Sequence, residues 1–159
     1  MSNFTYCPLV WHFCGKTNNA KIEKIQERAL RIIYNDYISD YDTLREQMGV
    51  TTMVHSRLLC MVLEVFKSIK KKNPVYLQEL FSIKDSQYSL RDSSLLVQPI
   101  KNTTNYGLRT FTYLGSKLWN NLPATMKSSV ERDITIKDFK IDLKRREHIN
   151  YENISSFYV

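Results

Sequence analysis

With 159 residues the chain has room for one domain or two small ones, and 43% hydrophobic content with ten Tyr and seven Phe excludes a disordered polymer. Its glycines number only four (15, 49, 107 and 115), which excludes Gly-rich phosphate loops, because those need closely spaced glycines. A net charge of +7 and a pI near 9.3 set the sign of the partner, nucleic acid before anionic membrane.

Residues 2–15 (SNFTYCPLVWHFCG) carry Phe4, Cys7, Leu9, Val10, Trp11, Phe13 and Cys14 with hardly a charge, so the sequence predicts that something buries them and that the natural start lies upstream. No positive stretch precedes this run and Pro8 interrupts it, unlike a signal peptide. It is also far short of the roughly 20 residues of a membrane span.

Over residues 20–34 the spacing predicts an amphipathic helix with Ile22, Ile25, Ala29, Ile32 and Ile33 as its buried stripe. Lys21, Lys24, Arg28 and Arg31, spaced 3-4-3, form a basic edge about a third of a turn away. Glu23, Gln26 and Glu27 fill the opposite flank, with Glu27 placed for an i,i+4 pair with Arg31.

A Tyr- and Asp-rich turn (residues 35–42) leads into a short helix over 42–48, stopped by Gly49 where a left-handed residue is needed. Thr51 or Thr52 then caps a helix over 53–69. Its Leu58, Leu59, Met61, Val62, Leu63, Val65, Phe66 and Ile69 cover an arc of roughly 200°, so it is covered on more than one side and forms the hub of the core. Lys70, Lys71 and Lys72 follow at its C-terminus, where cations are favoured. Pro74 suits the first turn of a brief helix, PVYLQELF.

From 82 to 105 the helical period disappears, and Leu95, Val97, Pro99 and Ile100 fit a short extended segment or an edge strand. Residues 109–113 (RTFTY) alternate with strand character, and GSKLWNNLP predicts a short helix closed before Pro123. The last helix is expected over 135–147, with Ile136, Phe139 and Leu143 on one face and Lys137, Lys140 and Lys144 as a second basic edge, extended by Arg145 and Arg146. The tail NYENISSFYV has no usable period. The fold class expected is mainly α, a small helical domain around a central buried helix with a short extended or β segment near 90–113.

Candidate chemistry is sparse. Cys7, Cys14 and Cys60 are too few for a disulfide framework, and Cys7 and Cys14 with His12 match no zinc spacing, so these two are expected as inert buried thiols, in a reducing, soluble, intracellular setting. The sequons at Asn3, Asn102 and Asn153 matter only in a secreted chain. Asp36, Asp40 and Asp42 crowd one turn, but Ile38, Tyr41 and Gln47 occupy key calcium-loop positions, leaving a capped polar turn. His55 and His148 belong to no base–nucleophile motif, Trp119 between Leu118 and Leu122 is expected in the core, and Tyr34, Tyr37 and Tyr41 are expected packed or partly exposed. No cofactor is expected. The two basic edges are either solvated faces or phosphate contacts.

Several strings resemble the C-terminal portion of the reverse transcriptase protein of LINE-type (non-LTR) retrotransposons, downstream of the catalytic palm. They are Tyr6-Cys7-Pro8-Leu9-Val10-Trp11, the run from Glu27 through Arg28-Ala29-Leu30-Arg31-Ile32-Ile33-Tyr34 to Tyr37, then Leu90-Arg91, Pro99, Tyr106-Gly107, Tyr113-Leu114-Gly115, Lys117, Trp119-Asn120, Leu122-Pro123 and finally Phe139-Lys140. The resemblance implies a thumb-like helical pair over 1–37, a post-thumb helical domain packed on it over 38–148, and a tail over 149–159. It also implies contact with template RNA or an RNA–DNA duplex, through Lys21, Lys24, Arg28, Arg31, Lys137, Lys140, Lys144 and Arg145 if those edges bind, and contact with a palm domain; no membrane role is implied. No Tyr/Phe-Ala-Asp-Asp string is present, so catalysis does not transfer. Two functions follow as expectations: a noncatalytic nucleic-acid-binding module, or a structural remnant that packs on a missing catalytic domain or self-associates.

Overall fold

The computed structural model describes residues 7–84, 94–103, 107–130, 132 and 134–145. Asn3, Phe4, Tyr6, Leu90, Arg91, Tyr106, Arg146, His148, Asn153 and the tail at 149–159 lie outside the described residues. Among those described the fold is mainly helical: α1 (Pro8–Trp11), α2 (Lys16–Tyr34), α3 (Tyr41–Met48), α4 (Met53–Ile69), α5 (Val75–Gln78), α6 (Phe111–Asn120), α7 (Ala124–Lys127) and α8 (Ile136–Arg145), with a 3-10 turn at Ser128–Val130. They divide into two compact units, one ending at Leu58 and the other beginning at Leu59, so the division falls inside α4. In the first unit α3 lies with α2.

In the first unit, α2 begins before the expected residue 20, with Gly15 at its extended N-cap, and stops at Asn35, whose φ of 51° ends the helix. Its buried residues are Asn19, Gln26 and Leu30, while Ile25, Ala29, Ile32 and Ile33 face solvent and Ile22 is half-buried. The expected buried isoleucine stripe is therefore wrong, for an identifiable reason. The first turn of α4 presents backbone N–H groups without helical acceptors, and the Val54 N–H donates to Glu23 Oε1 at 3.0 Å. Tyr41 O–H donates to Glu23 Oε2 at 3.1 Å, and Gln26 Nε2–H donates to the Thr51 carbonyl at 3.1 Å. These polar bonds turn the Glu23–Gln26–Leu30 side of α2 inward and leave the isoleucines outside.

The neighbouring caps follow the sequence closely. Asp40 caps α3 by accepting from the Asp42 N–H, and Gly49 closes it at φ 62°. Thr52 caps α4, its Oγ1 accepting from the His55 N–H at 3.1 Å. The apolar run at the start behaves differently from expectation: Val10 and Trp11 are exposed, Leu9 and Phe13 are half-buried, and among its described residues only His12 is deeply covered. A four-residue helix such as α1 is too short to turn one broad apolar face inward.

In the second unit Met61, Val62, Val65 and Phe66 of α4 are fully buried, and Leu59, Leu63 and Ile69 are half-buried. Phe66 stacks on Phe139 of α8 with centroids 3.9 Å apart, and Trp119 of α6 lies 6.4 Å from Phe66. Gly115 lets α6 approach α4, since a Cβ there would meet Val65 Cγ2 at 2.9 Å. The strand character expected at 109–113 is overturned: Thr110 Oγ1 accepts from the Tyr113 N–H and starts α6 at Phe111. The extended piece lies just upstream, where Leu96 bridges Ile83 antiparallel, with Val97 N–H to Ser82 O at 2.9 Å and Lys84 N–H to Leu95 O at 2.7 Å. The Asn120 side chain grips the same residue, accepting from Leu96 N–H at 2.8 Å and donating to Leu96 O at 2.9 Å. Trp119 Nε1–H donates to Ser94 O at 2.9 Å. Among the described residues no single helix is long and apolar enough to cross a membrane; α3 and α4 reach that length only as a pair bent by 46°.

Candidate nucleic-acid interface

The first basic edge lies on α2. Lys21, Lys24 and Arg28 are exposed and make no ion pair among the described residues. Arg31, expected beside them, is committed elsewhere: Nε and Nη2 donate to Glu27 Oε1 at 3.0 and 2.8 Å, and Nη1 donates to Ser39 O at 3.0 Å. The i,i+4 pair expected from the sequence thus forms, and it withdraws Arg31 from the edge. A guanidinium with its fork already filled has little left to offer a phosphate.

The second edge lies on α8. Thr135 Oγ1 accepts from the Asp138 N–H at 3.2 Å and donates to Asp138 Oδ2 at 2.7 Å, which fixes the start of the helix. Phe139 and Leu143 are buried and hold one face down. Lys137, Lys140, Lys144 and Arg145 are all exposed, and none makes an ion pair among the described residues. Nearby on α4 sits Cys60, whose thiol pKa is pushed up by burial and drawn down by Lys140, with smaller opposing effects of Glu64 and of Lys67 and Lys144. Lys67 therefore shares this neighbourhood, although Glu64 already holds it at 2.6 Å. The α4 helical wheel alone did not reveal Lys67 as a neighbour of α8. Each edge belongs to its own unit.

The remaining candidates resolve individually. Asp36 Oδ1 accepts from the Ile38 and Ser39 N–H groups at 2.9 and 3.0 Å, and these bonds, led by that of the Ser39 side chain, lower its pKa to about 2. Asp40 caps α3 and Asp42 holds Arg45 at 2.6 Å, so the acidic turn is a capped polar turn. Among the described residues no group of three His, Cys, Asp or Glu side chains is placed to hold a metal. Cys7 and Cys14 correct the expectation of burial, since Cys7 is exposed and Cys14 half-buried; Cys60 is half-buried too. His55 is half-buried. Tyr37 is exposed, Tyr41 is half-buried, and Tyr34 O–H rests on Met48 Sδ at 3.4 Å.

Arg57 is the residue that helical spacing missed. Placed by its wheel position on the polar arc of α4, it is instead buried. Its guanidinium donates to Met53 O at 3.1 Å, Trp11 O at 3.1 Å, Asn19 Oδ1 at 2.6 Å and Cys14 Sγ at 3.8 Å, with no carboxylate among these acceptors. Its role is to join α1, α2 and α4 within the first unit, and it presents nothing to a ligand. No protein-family model, curated protein or solved structure matches the chain.

Proposed function

We propose that the chain is a noncatalytic nucleic-acid-binding module, with RNA or an RNA–DNA duplex as its ligand. The observation that carries this reading is α8, where four exposed cations, free of ion pairs among the described residues, stand on a helix fixed by the Thr135 N-cap and two buried anchors. Cations not matched by carboxylates release counterions when phosphates replace solvent, and that release drives binding. Lys21, Lys24 and Arg28 form a smaller second set, from which Arg31 is removed by its own ion pair. The motif resemblance to LINE-type reverse transcriptase proteins supports RNA as the ligand class.

Fluorescence anisotropy with a labelled RNA and an RNA–DNA duplex across a salt series tests the proposal. Affinity for the single strand should fall by about 0.7 log units per phosphate contact for each tenfold rise in salt. Reversing Lys137, Lys140, Lys144 and Arg145 to Glu should abolish binding with unchanged circular dichroism. Unaltered affinity in that variant would make the α8 edge a solvated face.

Exposed Val10 and Trp11 favour a second reading, a structural remnant that packs on a missing palm domain or self-associates. It requires concentration-dependent association in light scattering that Val10→Ser/Trp11→Ser relieves, and a monomer at every concentration together with binding to no palm domain counts against it.

A further inference from the structure

Three isoleucines of α2 stand in water although the helix spans nineteen residues and has a packed side available: Ile25 is 46% exposed, Ile32 70% and Ile33 60%. They are not scattered. Ile22, Ile25, Ala29 and Ile32 follow one another at spacings of 3, 4 and 3, the register of a helix–helix seam. The small side chain of Ala29 between Ile25 and Ile32 leaves a hole of the kind a knob from a facing helix fills. The fold's own contacts use the adjoining side, Asn19, Gln26 and Leu30, so the outward stripe is not a by-product of internal packing.

Charge decides what belongs there. Lys21, Lys24 and Arg28 run along the outer margin of the stripe, exposed and without ion pairs among the described residues, while the other margin is closed by α2's own packed face. We propose that the Ile25–Ala29–Ile32 stripe is a docking seam for an amphipathic helix of a partner protein that carries Asp or Glu along one flank. A second copy of this chain does not fit. In antiparallel pairing Lys21 and Arg28 meet each other's like charges, and in parallel pairing they meet Gln26 and Ile33, neither of which is acidic. A nucleic-acid strand answers the cations and leaves the isoleucines wet. The seam is independent of the α8 edge, which carries the nucleic-acid reading, and it assigns Lys21, Lys24 and Arg28 to the partner helix in place of phosphate.

The test uses the full chain and a labelled synthetic helix of about three heptads, with Leu at the core positions and Glu along one flank, beside a twin carrying Lys for Glu. The Glu helix should bind at least about tenfold more tightly than the Lys twin. Ile25→Ser/Ile32→Ser, at exposed positions, should abolish that binding with unchanged circular dichroism. Lys21→Glu/Lys24→Glu/Arg28→Glu should invert the preference toward the Lys twin. Equal binding of both helices, binding of neither, or binding indifferent to the isoleucines overturns the seam. So does an isoleucine-dependent dimer in sedimentation, or isoleucine-dependent capture by phosphatidylserine vesicles. If the chain binds RNA through α8 but takes neither helix, the seam falls and the nucleic-acid reading survives; the reverse outcome leaves the seam alone standing.

Discussion

His12 is buried next to Arg57, and loss of solvent, aided by that guanidinium, lowers its pKa from 6.5 to about 4. Between those values the unfolded chain binds a proton that the folded chain rejects, so stability rises with pH across that interval. The contribution is fully present above 6.5 and is lost as pH falls through about 4, amounting to roughly 3 kcal/mol at most. Urea denaturation at pH 4.5 and at pH 7 should therefore differ, and His12→Gln should flatten the difference whatever its own cost; an equal slope in the variant assigns the pH dependence to other groups. Asn120 offers a second prediction at this scale. Its amide completes the hydrogen bonding of Leu96, so Asn120→Ala should leave α6 intact but speed hydrogen exchange at the Leu96 N–H by about tenfold, the loss of one hydrogen bond of about 1–1.5 kcal/mol. Unchanged exchange would mean that the backbone bonds to Ser82 and Lys84 and the Trp119 bond to Ser94 hold that segment without Asn120. Trp119 in the core was legible from its leucine neighbours, and the partner of Asn120 was not. A side-chain amide standing in for a strand leaves no period in the sequence, and its acceptor lies 24 residues away.

At the level of elements, the helices were legible wherever a cap chemistry or a period marked them. Gly49 and Thr52 sit where local chemistry requires them, and α4 is the central buried helix its apolar arc predicts. The face of α2 that turns inward was not legible, because hydrophobic spacing competes there with a long-range polar demand. Glu23 answers an unsatisfied N–H of α4, and negative charge is favoured at a helix N-terminus. Leu30→Ala should therefore cost about 2–5 kcal/mol, whereas Ile32→Ala should stay within about 0.5 kcal/mol. Chemical denaturation of both variants checks this, and the opposite order would restore the isoleucine stripe to the core. The start of α6 was missed for a related reason: RTFTY alternates like a strand, yet Thr110 supplies an N-cap that the alternation hides.

For the molecule as a whole the net charge is +7, and among the described residues Lys21, Lys24, Arg28, Lys137, Lys140, Lys144 and Arg145 stand exposed along helical edges. Contacts of that kind go to phosphate and carry no direct sequence information. Scrambling the sequence of a bound RNA at constant length should therefore change its affinity by less than about threefold, while doubling its length raises it. A strong preference for one sequence would require aromatic or amide contacts beyond these edges. Arg57 bears on the chain at the same scale. Among the described residues its guanidinium donates to two carbonyls, one amide oxygen and a sulfur, and two of those groups, Trp11 O and Cys14 Sγ, precede α2. Trimming the protein back to Lys16 would thus do more than shorten a loose end: it would strand a cation in the interior with half its shell missing, and the loss of those fifteen residues would be felt at α4.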